Sequence, residues 1–197
     1  MIKNVVFDVG RVLLRYCPIK YMEDLGYSHE EIEDLIELVF SSETWLELDR
    51  GSLTQREAIE YFISKRPHLK DKIEYVMENW KDHLTAIEDN TSILMDLKGR
   101  GYNLYIISNF HKDAFEYLRN KFDFFECFQD IIISADVKLL KPEEEIYLYL
   151  INKHGLVPEE CVFVDDMEMN INSAKNVGMN TILYKENISI EDELKNL

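Results

Sequence analysis

Along most of its length the chain switches between short apolar runs and longer segments in which apolar residues recur every three or four positions. Five runs have the length and the β-branched or aromatic character of buried strands: "NVVFDV" (4–9), "NLYIIS" (103–108), "DIIIS" (130–134), "CVFVDD" (161–166) and "NTILY" (180–184). Helical patterns separate the last four. They are "DAFEYLRNKF", then "PEEEIYLYLINKHG" with Pro142 placed for a first helical turn and Gly155 for the stop, then "MNINSAKNVG" with Ile171, Ala174 and Val177 on one face and Gly178 as the stop. Strand and helix in alternation predict an α/β fold, a parallel sheet covered by helices on both faces.

The stretch from about Tyr16 to Leu84 breaks this rhythm. It has no strand-like run. Ser28 with Glu31 and Thr54 with Glu57 fit capping boxes, and in "DKIEYVMENWKDHL" the residues Ile73, Val76, Met77, Trp80 and Leu84 share a helical face. Residues 16–85 are therefore expected to form a helical cap inserted after the first strand, with 1–15 and 86–197 building the α/β core.

Composition narrows the function. The chain has 197 residues, 46% of them hydrophobic, which suffices for a sizeable core. The formal net charge of −16 disfavours nucleic acid and anionic membrane surfaces as partners. An anionic substrate then needs local positive charge or a metal at its site. Cys17, Cys127 and Cys161 are scattered and form neither a zinc pattern nor a disulfide framework. With no secretory layout and no bilayer-length apolar stretch, the expectation is a cytoplasmic monomer.

In an open parallel sheet, ligands bind at the C-terminal ends of the strands. The first strand delivers Asp8 to that edge, the second Ser108 and Asn109, and the fourth Asp165 and Asp166; Lys141 follows the third, just before a helix start. Three carboxylates in one cleft repel one another and call for a cation. Hard oxygen ligands of this kind suit magnesium, which takes one or two carboxylates together with substrate phosphate. Lys141 would offset phosphoryl charge and Ser108 would hold phosphate oxygens. A carboxylate is then placed to attack phosphorus and form an aspartyl-phosphate.

"FDVGRVLL", "IISN", "KPEEEIY" and "VFVDD" resemble, in order, the four motifs of the haloacid dehalogenase-like (HAD) hydrolases. Within that family the pattern "FDxGxVL" looks most like the branch typified by bacterial alpha-D-glucose-1-phosphate phosphatase. The resemblance implies a Rossmann-like, five-stranded core and a nucleophile at Asp8. It implies catalytic and phosphate contacts from Ser108 and Lys141, with Asn109 and Arg11 beside the substrate. It also implies Mg2+ held by Asp8, the Gly10 carbonyl, Asp165 and Asp166. The expected activity is a magnesium-dependent phosphatase acting on a small phosphorylated metabolite, such as a sugar phosphate. A silent phospholigand-binding protein and a haloacid dehalogenase are the alternatives.

Most phosphatases of that family carry a second aspartate two places after the nucleophile, as the general acid and base. Here that place is Gly10, read as allowing a turn and a close approach. Three readings stay open: a slow phosphatase that relies on leaving-group acidity, a substitute residue such as His111, or loss of catalysis. Tyr16, Arg15, Trp45 and Arg50 are candidates for the cap side of the site, and Asn170 for a supporting group behind the aspartates.

Overall fold

The computed structural model describes residues 1–197. Seven strands run β1 (Asn4–Phe7), β2 (Leu14–Arg15), β3 (Thr85–Ala86), β4 (Asn103–Ser108), β5 (Asp130–Ile133), β6 (Cys161–Asp165) and β7 (Asn180–Leu183). Five of them form a parallel sheet in the order β5-β4-β1-β6-β7, with β1 in the centre. Val5 pairs with Leu104 on one side and Val162 on the other.

Side-chain alternation divides the apolar residues between two layers. Val5, Phe7, Leu104, Ile106, Val162 and Val164 face one side, in a cluster of 39 buried residues. Val6, Tyr105, Ile107 and Phe163 face the other, where Tyr147, Leu150 and Ile171 from the helices Glu144–His154 and Glu168–Asn176 cover them. Both sheet faces are thus buried, which is why the strands read as unbroken apolar runs.

β2 and β3 pair antiparallel, Leu14 opposite Ala86 and Arg15 opposite Thr85. Between them lie the helices Pro18–Asp24, His29–Leu35, Glu43–Arg50, Gln55–Lys65 and Lys70–Asn79. Ser28 and Thr54 both close capping boxes, with Glu31 and Glu57. The apolar faces of these helices do not form a core of their own. Trp45, Leu48, Phe62, Ile73, Met77 and Trp80 join the same cluster as Phe7 and Ile106.

Helix Glu43–Arg50 stops at Gly51, whose φ of +69° is left-handed. A β-carbon there would sit 2.6 Å from the Ala135 carbonyl oxygen, so the close approach of this helix end to the core requires glycine. Arg50 adds a bidentate pair to Glu143, at 3.1 and 2.5 Å. Lys138 reaches the Gly51 carbonyl, and the Ser134 hydroxyl donates to the Asp49 carbonyl.

Two local expectations change, and one helix has no counterpart in the sequence reading. Residues 140–143 form a turn closed by the Glu143 N–H on the Leu140 carbonyl at 2.7 Å, so Pro142 precedes the helix, which starts at Glu144. The helix Leu94–Gly99 was not visible as a pattern. Gly10 has neither a positive φ nor any atom within 4 Å of where a β-carbon would stand. The left-handed residue is instead its neighbour Arg11, at φ 58°. The turn therefore does not demand glycine at position 10.

Candidate active site

Asp8 follows the last residue of β1 and stays in register with β6 through its N–H on the Val164 carbonyl, 2.9 Å away. Its carboxylate is used unevenly. Oδ1 accepts the Val9 N–H at 2.7 Å and the Ser108 hydroxyl at 2.8 Å, and lies 2.7 Å from the Lys141 ammonium. Oδ2 accepts no hydrogen bond. Lys141 Nζ also lies 2.7 Å from Asp165 Oδ2, so one buried ammonium bridges two buried carboxylates.

Asp165 is enclosed. Besides Lys141 it accepts the Met167 N–H at 2.8 Å and the Asn170 amide, at 3.0 Å from each oxygen. Asn170 is fixed in turn by the Tyr147 hydroxyl on its carbonyl, 3.1 Å away. Asp166 is only half-buried, and its nearest cation is Arg11, 3.7 Å off. Oxygens of Asp8, Asp165 and Asp166 lie within 4.8 Å of one another.

Burial and these charges set the protonation. Burial raises Asp8 to about 6; Lys141 opposes the rise and Asp165 adds to it. Burial pulls Lys141 down, but Asp165 and Asp8 together outweigh it and leave the ammonium above its ordinary value. Burial and Asp165 also raise Asp166, against the pull of Arg11 and Lys141. Two carboxylates that are reluctant to ionise side by side, with open oxygens, make a fitting seat for a divalent cation.

The site opens into a cavity of about 490 Å³ roofed by the helical segment. Apolar side chains make most of its wall beyond the carboxylates: Leu14, Trp45, Leu46, Trp80, Phe110 and Met169 are among them. Tyr16 and Asp49 bring polar atoms to the same wall. Asp49 is buried, and burial lifts its carboxyl well above the ordinary range; Lys141 opposes the rise and Asp8 adds to it.

The residues named from the sequence fall into two groups. Asp8, Gly10, Arg11, Ser108, Asn109, Lys141 and Asp166 line the cavity, as do Tyr16, Trp45 and Asn170. Asp165 stands behind them, and Arg15 and Arg50 lie outside. Asn109 is committed elsewhere: its amide donates to the Lys141 carbonyl at 3.0 Å and accepts the Lys141 N–H at 2.8 Å. His111 is no loop residue open to solvent. Its ring packs 4.4 Å from Trp45 and 5.5 Å from Trp80, and burial lowers its pKa to about 3. It does not reach the cavity, so it is not a proton donor in direct contact with a substrate. Asp49 is the residue the sequence did not reveal. Its only signal is one acid in the stretch expected to be helical, in a chain with 38 acids.

The chain is similar to known proteins over its full length. It is 27% identical to a sesquiterpene phosphatase of Aspergillus oryzae, covering 99% of this chain and 96% of that protein. It is 23% identical to a D-ribitol-5-phosphate phosphatase of Bacteroides thetaiotaomicron, covering 98% and 97%. Its fold matches a HAD family enzyme of Bacteroides thetaiotaomicron crystallised with magnesium, at a TM-score of 0.78 and 22% identity over 98% of each chain. No helix is long and apolar enough to cross a membrane. Residues 28–184 match the family described as haloacid dehalogenase-like hydrolase, and the chain belongs to that family of enzymes.

Proposed function

We propose that the protein is a magnesium-dependent phosphatase that hydrolyses small phosphate esters through an aspartyl-phosphate on Asp8. The observation that carries this function is the asymmetry of Asp8: Oδ1 is held by Val9, Ser108 and Lys141, while Oδ2 is left free at the cavity. A carboxylate pinned by one oxygen presents the other as a nucleophile. Oδ2 attacks phosphorus and the bond to the leaving oxygen breaks. Lys141 offsets the charge of the phosphoryl group and the Ser108 hydroxyl can turn to one of its oxygens. Magnesium would be held by Asp8, Asp166 and the Gly10 carbonyl, with Asp165 supporting through Lys141 and Asn170. When bound, it would neutralise the carboxylates and polarise the phosphoryl oxygens.

The substrate class follows from the wall. A sugar phosphate, as the glucose-1-phosphate branch implies, needs hydrogen-bonding partners around its ring. Trp45, Leu46, Trp80, Phe110 and Met169 offer mostly apolar surface. An apolar alcohol esterified to phosphate, isoprenoid or aryl, suits them better. The likeness to a sesquiterpene phosphatase supports the same choice. The helical segment 16–85 acts as the cap that supplies this specificity.

Phosphate release from farnesyl phosphate, naphthyl phosphate and glucose 1-phosphate, with and without EDTA, tests the proposal. Activity that needs magnesium and a higher kcat/KM on the two apolar esters are expected. Equal or better use of the sugar phosphate would return the substrate to that class. Activity indifferent to thorough chelation would point to dehalogenase-like chemistry on the same aspartate.

A further inference from the structure

Gly10 leaves the site without a side chain to give the leaving oxygen its proton. Across the cavity from the sheet edge, one buried group is available. Asp49 lies in the last turn of the helix Glu43–Arg50, lines the same cavity as Asp8 and Lys141, and sits against His111. His111 Nε2 lies 3.2 Å from Asp49 Oδ1 without hydrogen-bond alignment, and both ring nitrogens are buried with no other partner. With Oδ1 turned to His111, Oδ2 is the oxygen left for a ligand.

We propose that Asp49 is the general acid and base of this enzyme, with His111 as the residue that positions it. The proposal rests on the phosphatase function above. In the first step Asp8 Oδ2 bonds to phosphorus, the bond to the leaving oxygen breaks, and Asp49 gives that oxygen its proton. Asp49 is then an anion beside a neutral imidazole. In the second step a water attacks the aspartyl-phosphate, Asp49 takes the water's proton, and the electron pair of the breaking bond returns to Asp8. Phosphate leaves and Asp49 is again protonated.

The surroundings suit this cycle. Asp49 is faced by His111 from the start of the helix Lys112–Lys121, by Asp8 from the sheet edge, by Lys141 from the turn 140–143, and by Tyr16 beyond β2. Its burial favours the neutral acid, and the Asp8 charge reinforces that state. Burial equally keeps His111 neutral with its single N–H, so the proton that moves in the cycle sits on the carboxyl. A neutral acid waiting in the cavity wall is the state a leaving alkoxide requires. Gly51 and the Arg50–Glu143 pair fix the helix end that carries it.

Wild type, Asp49→Asn and Asp49→Glu are compared on a primary alkyl phosphate and on p-nitrophenyl phosphate. The alkoxide needs a proton to leave; nitrophenolate does not. Asp49→Asn is expected to slow single-turnover cleavage of the alkyl ester about 10²–10⁴-fold. On the aryl ester it should keep a burst of nitrophenolate, followed by slow turnover, because water activation is lost. Asp49→Glu should recover part of the alkyl activity, and His111→Gln should shift the alkaline limb of the pH profile. Equal losses on both esters without a burst, or no loss on the alkyl ester, would overturn the proposal. If the wild type hydrolyses neither ester, the phosphatase function itself fails. Asp49 is then judged by infrared difference spectra of wild type against Asp49→Asn at pH 7. A protonated-carboxyl band that vanishes in the variant supports the proposal, and its absence sinks it.

Discussion

The Asn109 carboxamide holds the Lys141 backbone from both ends, donating to its carbonyl at 3.0 Å and accepting its N–H at 2.8 Å. Lys141 is thereby delivered from outside the sheet to a point between Asp8 and Asp165. Asn109 comes from the end of β4, so a strand end positions a cation that no strand carries. Asn109→Ala should leave both backbone groups without their partner. We expect a stability loss of about 1–3 kcal/mol in urea unfolding. A drop in kcat on the order of 10²-fold should accompany it, because Lys141 loses its placement. Unchanged kcat would show that Lys141 is held well enough by its two carboxylates.

Asp8→Asn should reduce turnover to background while the protein still folds. The amide preserves the shape beside Ser108 and Val9 but has no nucleophilic oxygen. Acid-quenched wild type incubated with labelled substrate should carry phosphate on protein, and the variant should not. Substantial steady-state turnover by purified Asp8→Asn protein removes Asp8 from the role.

Gly10 offers a gain-of-function check. Its φ is ordinary and a β-carbon would meet no atom within 4 Å, so Gly10→Asp should fold with little change in melting temperature. Placed there in the Asp49→Asn background, the new carboxyl should recover alkyl phosphate hydrolysis by about tenfold or more. A marked loss of stability would contradict the open space beside residue 10.

His111 gives a dependence of stability on pH. Its pKa is about 3 in the folded protein, against an ordinary 6.5, because burial disfavours the imidazolium. Between those values the unfolded chain binds a proton that the folded one does not, so stability falls as pH falls. From pH 7 to pH 5 this contributes a loss of roughly 2 kcal/mol. The raised Asp49 carboxyl works in the opposite sense, so the clean quantity is the difference between wild type and His111→Gln in urea unfolding at both pH values. A constant difference across that window would mean that the imidazole titrates in the folded protein as it does in the unfolded chain.

What could be read from the sequence follows the physics of strand ends. Asp8, Ser108 and Asp165 each stop an apolar run, and a polar group at that point of a parallel sheet has few structural uses, so position alone marked them. Lys141 was legible only through its place between a strand and a helix. Its bond to Asn109 depends on two segments meeting in space. The ribbon of β2 and β3 has two residues per strand, too few for alternation to register. Asp49 was illegible for a different reason. In "LELDRG" it reads as one acid at an exposed helix end. Its burial arises only in the folded chain, where it lies beside His111 in the cavity wall.

Asp49 and Arg50 are neighbours in sequence with different attachments. One lines the cavity, and the other is clamped to Glu143 of the core. Any lifting of the helical segment that admits a bulky ester must break the clamp and carry Asp49 away in the same movement. If Asp49 is the proton donor proposed above, this segment would be gate and donor in one mechanical part. While the gate stands open, an aspartyl-phosphate would meet bulk water with no base beside it, and would wait. Salt, which weakens the Arg50–Glu143 clamp, would thus hasten the exchange of molecules and shorten the time in which chemistry can occur.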